Sequence, residues 1–233
     1  MTAHEGPAGV ARFITIEGPE GSGKSTQARR LEDHLLAGGV DVVRTREPGG
    51  TPLGEEIRRI LLLAGEERRV IDPLADALLF SAARRQLVEE VIRPALARGK
   101  SVVCARFADS TLAYQGFGAG VPLDVLRDLE RVATGGLRPS LTILLDLPPE
   151  VGLARKPAAD QTRFELGFDL AFHERVRAGF LALASAEPSR FAIVDGRPAA
   201  DDVWAAIRAI VDERRGVGSA AGEPEPAAER IHR

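Results

Sequence analysis

Gly18-Pro19-Glu20-Gly21-Ser22-Gly23-Lys24-Ser25-Thr26 is the stretch on which the reading of this 233-residue chain turns. Gly18, Gly23, Lys24 and Ser25 occupy the fixed positions of G-x-x-x-x-G-K-[ST], a loop whose backbone N–H groups cradle phosphates. The apolar, β-prone run Phe13-Ile14-Thr15-Ile16 precedes it and the helix-favouring segment Gln27 to Leu36 follows. That strand–loop–helix setting is what the motif requires. The loop amides and the positive end of the helix dipole then face one polyphosphate. Lys24 adds a mobile charge for the outer phosphates, and the Ser25 hydroxyl can ligate Mg²⁺. Pro19, Glu20, Gly21, Ser22 and Thr26 complete the cradle. The stretch predicts a nucleoside triphosphate site.

Working outward, five short apolar segments read as strands: 13–17, 40–45, 101–105, 141–145 and 191–194. Helical patterns separate them, which predicts an α/β fold with a parallel sheet covered on both faces. Asp72-Pro73 opens the longest helix, an N-cap followed by proline at the first helical position. It runs towards Arg98, with Pro94 expected to kink or interrupt it. Asp201 to Arg215 form a closing amphipathic helix. The expected organisation is an N-terminal extension over 1–11, one domain over 12–215, and a disordered tail over 216–233, where Gly, Ala, Pro and Glu lose periodicity.

Hydrophobic content of 44% suffices for one packed core, and a formal net charge of −3 gives no overall attraction to nucleic acid or an anionic membrane. The single cysteine, Cys104, sits in an apolar run and reads as a buried, inert thiol suited to a reducing compartment. Residues 1–11 show no secretory signal, and no apolar run approaches the roughly 18 residues that span a bilayer. The expected location is the cytoplasm.

A phosphate loop alone does not name a reaction; the second substrate must be read elsewhere. Glu20 is an acid inside an anion site, which suits a partner such as a sugar hydroxyl. Thr45-Arg46-Glu47-Pro48-Gly49-Gly50-Thr51 follows the second strand and forces a tight loop at the sheet's carboxyl edge, placing Arg46 to grip a phosphate. Phe80 and Arg84 are one helical turn apart and share a face. Periodicity alone would put Phe80 in the core and Arg84 on the surface. In a ligand site, Phe80 could lie flat on a base while Arg84 donates to its carbonyl. Arg106 and Asp109-Ser110-Thr111-Leu112-Ala113-Tyr114-Gln115-Gly116 follow the third strand and add a cation, hydroxyls, an aromatic and an amide.

Together these stretches resemble the thymidylate kinases from about Arg12 to Arg215. The phosphate loop is common to many families; the Arg-Glu-Pro-Gly-Gly loop combined with Ser-Thr-x-Ala-Tyr-Gln is far more particular. The resemblance implies a five-stranded P-loop nucleoside monophosphate kinase fold with a lid, and transfer of a phosphoryl group from ATP, with Mg²⁺, to dTMP. It implies that Arg46 and Arg106 hold the monophosphate, with Pro48 beside it. Phe80 would stack on thymine, Arg84 would bond its O4, and Ser110 and Gln115 would complete the base site. Tyr114 would disfavour a 2′-hydroxyl, and Glu20 would take the 3′-hydroxyl. A homodimer is implied as well, without nucleic acid or membrane partners.

Residues 150–172 look like the lid of these kinases, carrying Arg155, Lys156 and Arg163. A lid excludes water that would compete as nucleophile. Gly21 beside Glu20 resembles the bacterial subtype, in which lid cations meet the transferring phosphoryl group. Arg163 is the first expectation for that cation and Arg155, on the ATP side, the second. One departure stands out: Ala105 precedes Arg106 where thymidylate kinases carry aspartate next to the metal. Its loss would slow turnover roughly 10²–10³-fold. Two other readings follow, a kinase for another nucleoside monophosphate and a catalytically weakened nucleotide-binding protein.

Overall fold

Strands β1 (Phe13–Glu17), β2 (Val42–Arg46), β3 (Ser101–Ala105), β4 (Leu141–Asp146) and β5 (Phe191–Asp195) pair in parallel in the order β2-β3-β1-β4-β5. The computed structural model describes residues 13–62, 71–158 and 161–219. The expected strands are present with small shifts. β2 begins two residues later than its apolar run because the Val40 N–H donates to Leu35 O at 2.9 Å, closing the end of the preceding helix. That helix, α1 (Lys24–Ala37), starts directly at the phosphate loop.

α1 and α10 (Ala200–Ser219) cover one face of the sheet, where Ile14, Ile16, Leu31, Leu35, Val203 and Ile207 form a core. The other face carries α3 (Pro73–Leu87), α6 (Leu123–Thr134) and α9 (Leu170–Ala186). Phe172, Val176 and Phe180 of α9 pack there with Tyr114 and Leu144. β1 is buried at all five positions, so its side chains are apolar without alternation apart from Thr15 and Glu17. Cys104 is fully buried as expected, and burial raises its thiol pKa well above the usual value.

The long helix differs in detail from its expected course. Asp72 caps α3 as expected, accepting from the N–H groups of Leu74 at 2.9 Å and Ala75 at 3.1 Å. Beyond Leu87 the chain widens into a π-helical turn, Val88–Ile92, before α4 (Arg93–Ala97). The interruption lies ahead of Pro94. The Arg93 N–H bonds Val88 O, five residues back, and Pro94 falls in the first turn of α4, where its missing N–H is harmless. α10 continues to Ser219, past the expected end at Arg215. The N-terminal extension and residues 220–233 of the expected tail lie outside the described residues. Among the described residues no helix is long and apolar enough to cross a membrane.

Because all strands run in parallel, Glu17, Arg46, Ala105, Asp146 and Asp195 end along one margin, where open α/β sheets bind ligands.

Candidate active site

The phosphate loop runs from β1 into α1. Gly21 holds φ +69°, and a Cβ there would come within 1.9 Å of Gly152 O. Gly152 belongs to α7 (Pro149–Arg155), and a Cβ on it would lie 2.1 Å from Glu20 O. Loop and helix are thus in backbone contact, which only paired glycines permit. Lys24 Nζ donates to Gly18 O at 3.0 Å, Pro19 O at 2.6 Å and Ser22 Oγ at 3.2 Å. Burial, with help from Arg106, pushes its pKa down to about 7. Ser25 and Thr26 are exposed on the first turn of α1.

Two cavities meet at this loop. The first encloses about 110 Å³. Phe80, Tyr114 and Phe164 give it an apolar wall, and Glu20, Arg106, Ser110 and Gln115 a polar one. Pro48, Arg58 and Lys156 also line it. The second, about 340 Å³, is lined by Gly21, Ser22, Gly23, Thr26, Arg155 and Gly196, among others. Arg155, which lines this second cavity, donates to Gly196 O at 2.7 Å and Arg197 O at 2.6 Å.

Arg106 joins the two regions. It has φ 68°, the one positive φ outside glycine among the described residues, as befits strain kept at a working site. The turn aims its guanidinium at Glu20 Oε1 (2.7 Å), Tyr114 OH (3.2 Å), Ser110 Oγ (3.2 Å) and Gly18 O (3.2 Å). Burial is the largest single influence and opposes its charge, but Glu20, Tyr114 and Glu17 together outweigh it and keep Arg106 firmly protonated. Burial alone would raise the Glu20 pKa; Arg106, Lys24 and Lys156 prevail and hold it at about 2. Tyr114 donates its hydroxyl to Glu20 Oε1 at 3.1 Å.

Under this arrangement lies Glu17, fully buried, accepting from Phe107 N–H at 2.6 Å and Ser110 Oγ at 2.6 Å. Burial, reinforced by the nearby Asp109 charge, raises its pKa to about 7.

Three expected ligand groups are otherwise engaged. Arg46 donates to both carboxylate oxygens of Glu55, at 2.9 and 3.1 Å, and does not line the first cavity; Arg58, from α2 (Pro52–Leu62), does. Arg84 is 1% exposed and also stands behind the wall, bonding Glu47 Oε2 (2.9 Å), Thr111 Oγ1 (2.9 Å) and Phe107 O (3.1 Å). Arg163, on α8 (Arg163–Gly167), is buried in an ion pair with Asp76 and donates to Leu61 O, and it lines neither cavity. Ion pairs explain these placements, with a carboxylate nine residues on for Arg46 and with distant ones for Arg84 and Arg163. Of the three cations in the segment expected as a lid, Lys156 is the one that lines the first cavity, bonded to Glu165 and 3.9 Å from Glu20.

Residue patterns did not mark Lys156 and Arg58, which line the first cavity, or Asp76 and Glu17, which bond its lining residues Gln115 and Ser110 from behind. Lys156 was visible only as one of three lid cations. Glu17 had one signal, an acid ending a fully buried strand. Ala105, the last residue of β3, packs into the core, its carbonyl accepting the Glu47 N–H at 3.0 Å. No cluster of three or more His, Cys, Asp or Glu side chains able to hold a metal occurs among the described residues. Mg²⁺ bound chiefly by substrate phosphates needs no such cluster, and the exposed Ser25 hydroxyl is a suitable hard ligand.

A parallel five-stranded sheet, a phosphate loop between two cavities and a helical segment rooted against that loop define a P-loop kinase of the nucleoside monophosphate class. The family model for Thymidylate kinase matches residues 16–207. A thymidylate kinase of Deinococcus radiodurans is 54% identical over 202 residues, covering 87% of this chain and 97% of its own. One from Caulobacter vibrioides is 51% identical over 206 residues, covering 88% and 98%. The crystal structure of thymidylate kinase from Ehrlichia chaffeensis superposes with a TM-score of 0.69 at 32% identity, covering 87% of this chain and 99% of that one. The chain belongs to the thymidylate kinase family.

Proposed function

We propose that this chain transfers the γ-phosphoryl group of ATP to dTMP, giving dTDP and ADP, with dTMP in the first cavity and ATP in the second. The supporting observation is Arg106. Its guanidinium contacts both the phosphate loop and the first cavity, where a cation can bridge two phosphorylated ligands. The acceptor phosphate oxygen is already anionic at neutral pH, so no strong general base is needed. Rate enhancement then comes from in-line positioning and charge stabilisation.

In this reading Lys24 leaves the loop carbonyls for the outer phosphates of ATP. The Ser25 hydroxyl would hold Mg²⁺, which would supply neutralisation of phosphate charge. Arg155 serves the nucleotide side. Glu20, ionised throughout the neutral range, accepts the 3′-hydroxyl, and Tyr114 crowds the 2′ position. Phe80 stacks on the base, with Ser110 and Gln115 at its polar edge. Arg58 and Arg106 are the cations on hand for the acceptor phosphate, and Arg46 joins them only by exchanging Glu55 for it. Arg84 works from behind the wall by fixing Glu47 and Thr111, which both line the cavity. Lys156 takes the lid role expected of Arg163.

The homodimer is proposed from the family; exposed Leu74 and Leu78 on α3 with Val125 and Val132 on α6 give it apolar surface. Sedimentation equilibrium tests it, and a monomer at micromolar concentration would reject it. A cytoplasmic location accords with the absence of any membrane-spanning helix among the described residues. Coupled ADP-release assays across dTMP, dUMP, UMP and CMP test the reaction. Preference for dTMP supports the reading, and comparable turnover of all four would overturn it.

A further inference from the structure

Asp76 carries no role in the reaction derived above, yet it is a carboxylate only 4% exposed beside the base cavity. It lies one turn before Phe80 on α3. Its two oxygens serve different partners. Oδ2 accepts from Gln115 Nε2 at 2.8 Å, and Oδ1 accepts from Arg163 on α8. Arg163 supplies the counter-charge that a buried carboxylate requires.

We infer that Asp76 is a positioning residue that sets which bases the cavity accepts, by fixing the orientation of the Gln115 amide. This inference rests on the dTMP reading of the cavity. A carboxylate paired with arginine only accepts hydrogen bonds, so the amide must turn its NH₂ towards Asp76. The carbonyl is then the end of Gln115 left for the cavity that it lines. A pyrimidine-2,4-dione, thymine or uracil, presents an N3–H donor that an amide carbonyl can accept. Cytosine presents an unprotonated N3 acceptor, which would face that carbonyl lone pair to lone pair. An amide free to turn would lose this discrimination, because its NH₂ could donate to cytosine N3. The same carboxylate anchors α8, whose Phe164 lines the cavity, so base selection and seating of the lid helix depend on one group.

The test is kcat/KM for dTMP and dCMP in the wild type, Asp76→Asn and Asp76→Ala. Asparagine keeps the shape but can donate to the Gln115 carbonyl, allowing the amide to reverse; alanine lets it turn freely. The expected result is a dCMP-to-dTMP ratio raised about tenfold or more, the effect of re-pairing one buried hydrogen bond. In a Gln115→Leu background the same Asp76 substitutions should leave the ratio unmoved. A uniform loss on both nucleotides with an unchanged ratio overturns the inference and leaves Asp76 purely structural. If neither variant folds, solvent exchange of the Gln115 side-chain NH₂ is followed by ¹⁵N NMR in the wild type. Rates unaltered by saturating dTMP support an amide tied to Asp76, and clear slowing on binding overturns it. A wild type that calorimetry shows not to bind dTMP would instead sink the reading of the cavity itself.

Discussion

Replacing Gly152 by alanine should damage catalysis from a residue that lines neither cavity. The added Cβ would stand 2.1 Å from Glu20 O and 3.2 Å from Leu147 Cδ2. Ordinary C···O contact begins near 3.3 Å, so either α7 or the phosphate loop must retreat by about 1.2 Å. Neither partner can yield through a side-chain rotation, because the nearest atom is backbone. Any retreat of the loop carries Glu20 and, through it, Arg106. A misplacement of about 1 Å costs about 10²-fold in rate when groups must be aligned. Overpacking adds about 1–3 kcal/mol of destabilisation, a few degrees in Tm for a domain of this size. Steady-state ADP release and a thermal melt measure both effects, with Gly167→Ala as control, since a Cβ there meets nothing within 4 Å. Wild-type turnover and melting in Gly152→Ala would refute the idea that the loop is braced by this glycine pair.

Lys156→Met should lower kcat about 10²-fold while changing the KM for dTMP far less, because its charge acts on the transferring group; an unaltered kcat would return the lid role to another cation. Ala105→Asp should raise kcat with little change in nucleotide affinity, at some expense of stability where Ala105 packs into the core; an unchanged or lower rate would show that the missing acid does not limit turnover. Glu17→Gln should flatten the pH dependence of stability. With a folded pKa near 7 against 4.5 unfolded, the native state binds the extra proton between those values, so stability declines as pH rises through that window, by roughly 3 kcal/mol. Urea melts at pH 5 and pH 8 measure it; an equal pH difference in wild type and variant would contradict the assignment.

What was legible in the sequence was what depends on neighbours along the chain. The phosphate loop, the Asp72 cap and the apolar runs of β1, β3 and β4 are local, and each lies where its pattern put it. β2, an edge strand with partly exposed positions, carries a weaker pattern, and the closure of α1 displaced its start. The arginines were harder. Arg84 answers to Glu47 across 37 residues and Arg163 to Asp76 across 87. Even Arg46 is turned by Glu55, nine residues on. Motif reading located these cations at the right margin of the sheet but not their partners, because ion pairs between distant segments leave no periodic trace. Lys156 was hidden by the same limit, since three lid cations are equivalent until folding separates them.

The most direct test is a crystal structure with dTMP and a non-hydrolysable ATP analogue. Thymine should lie against Phe80, with its monophosphate within hydrogen-bonding distance of Arg106 and pointing towards Lys24. Should dTMP lie anywhere else, or its phosphate point away from the loop, the assignment of the two cavities is wrong.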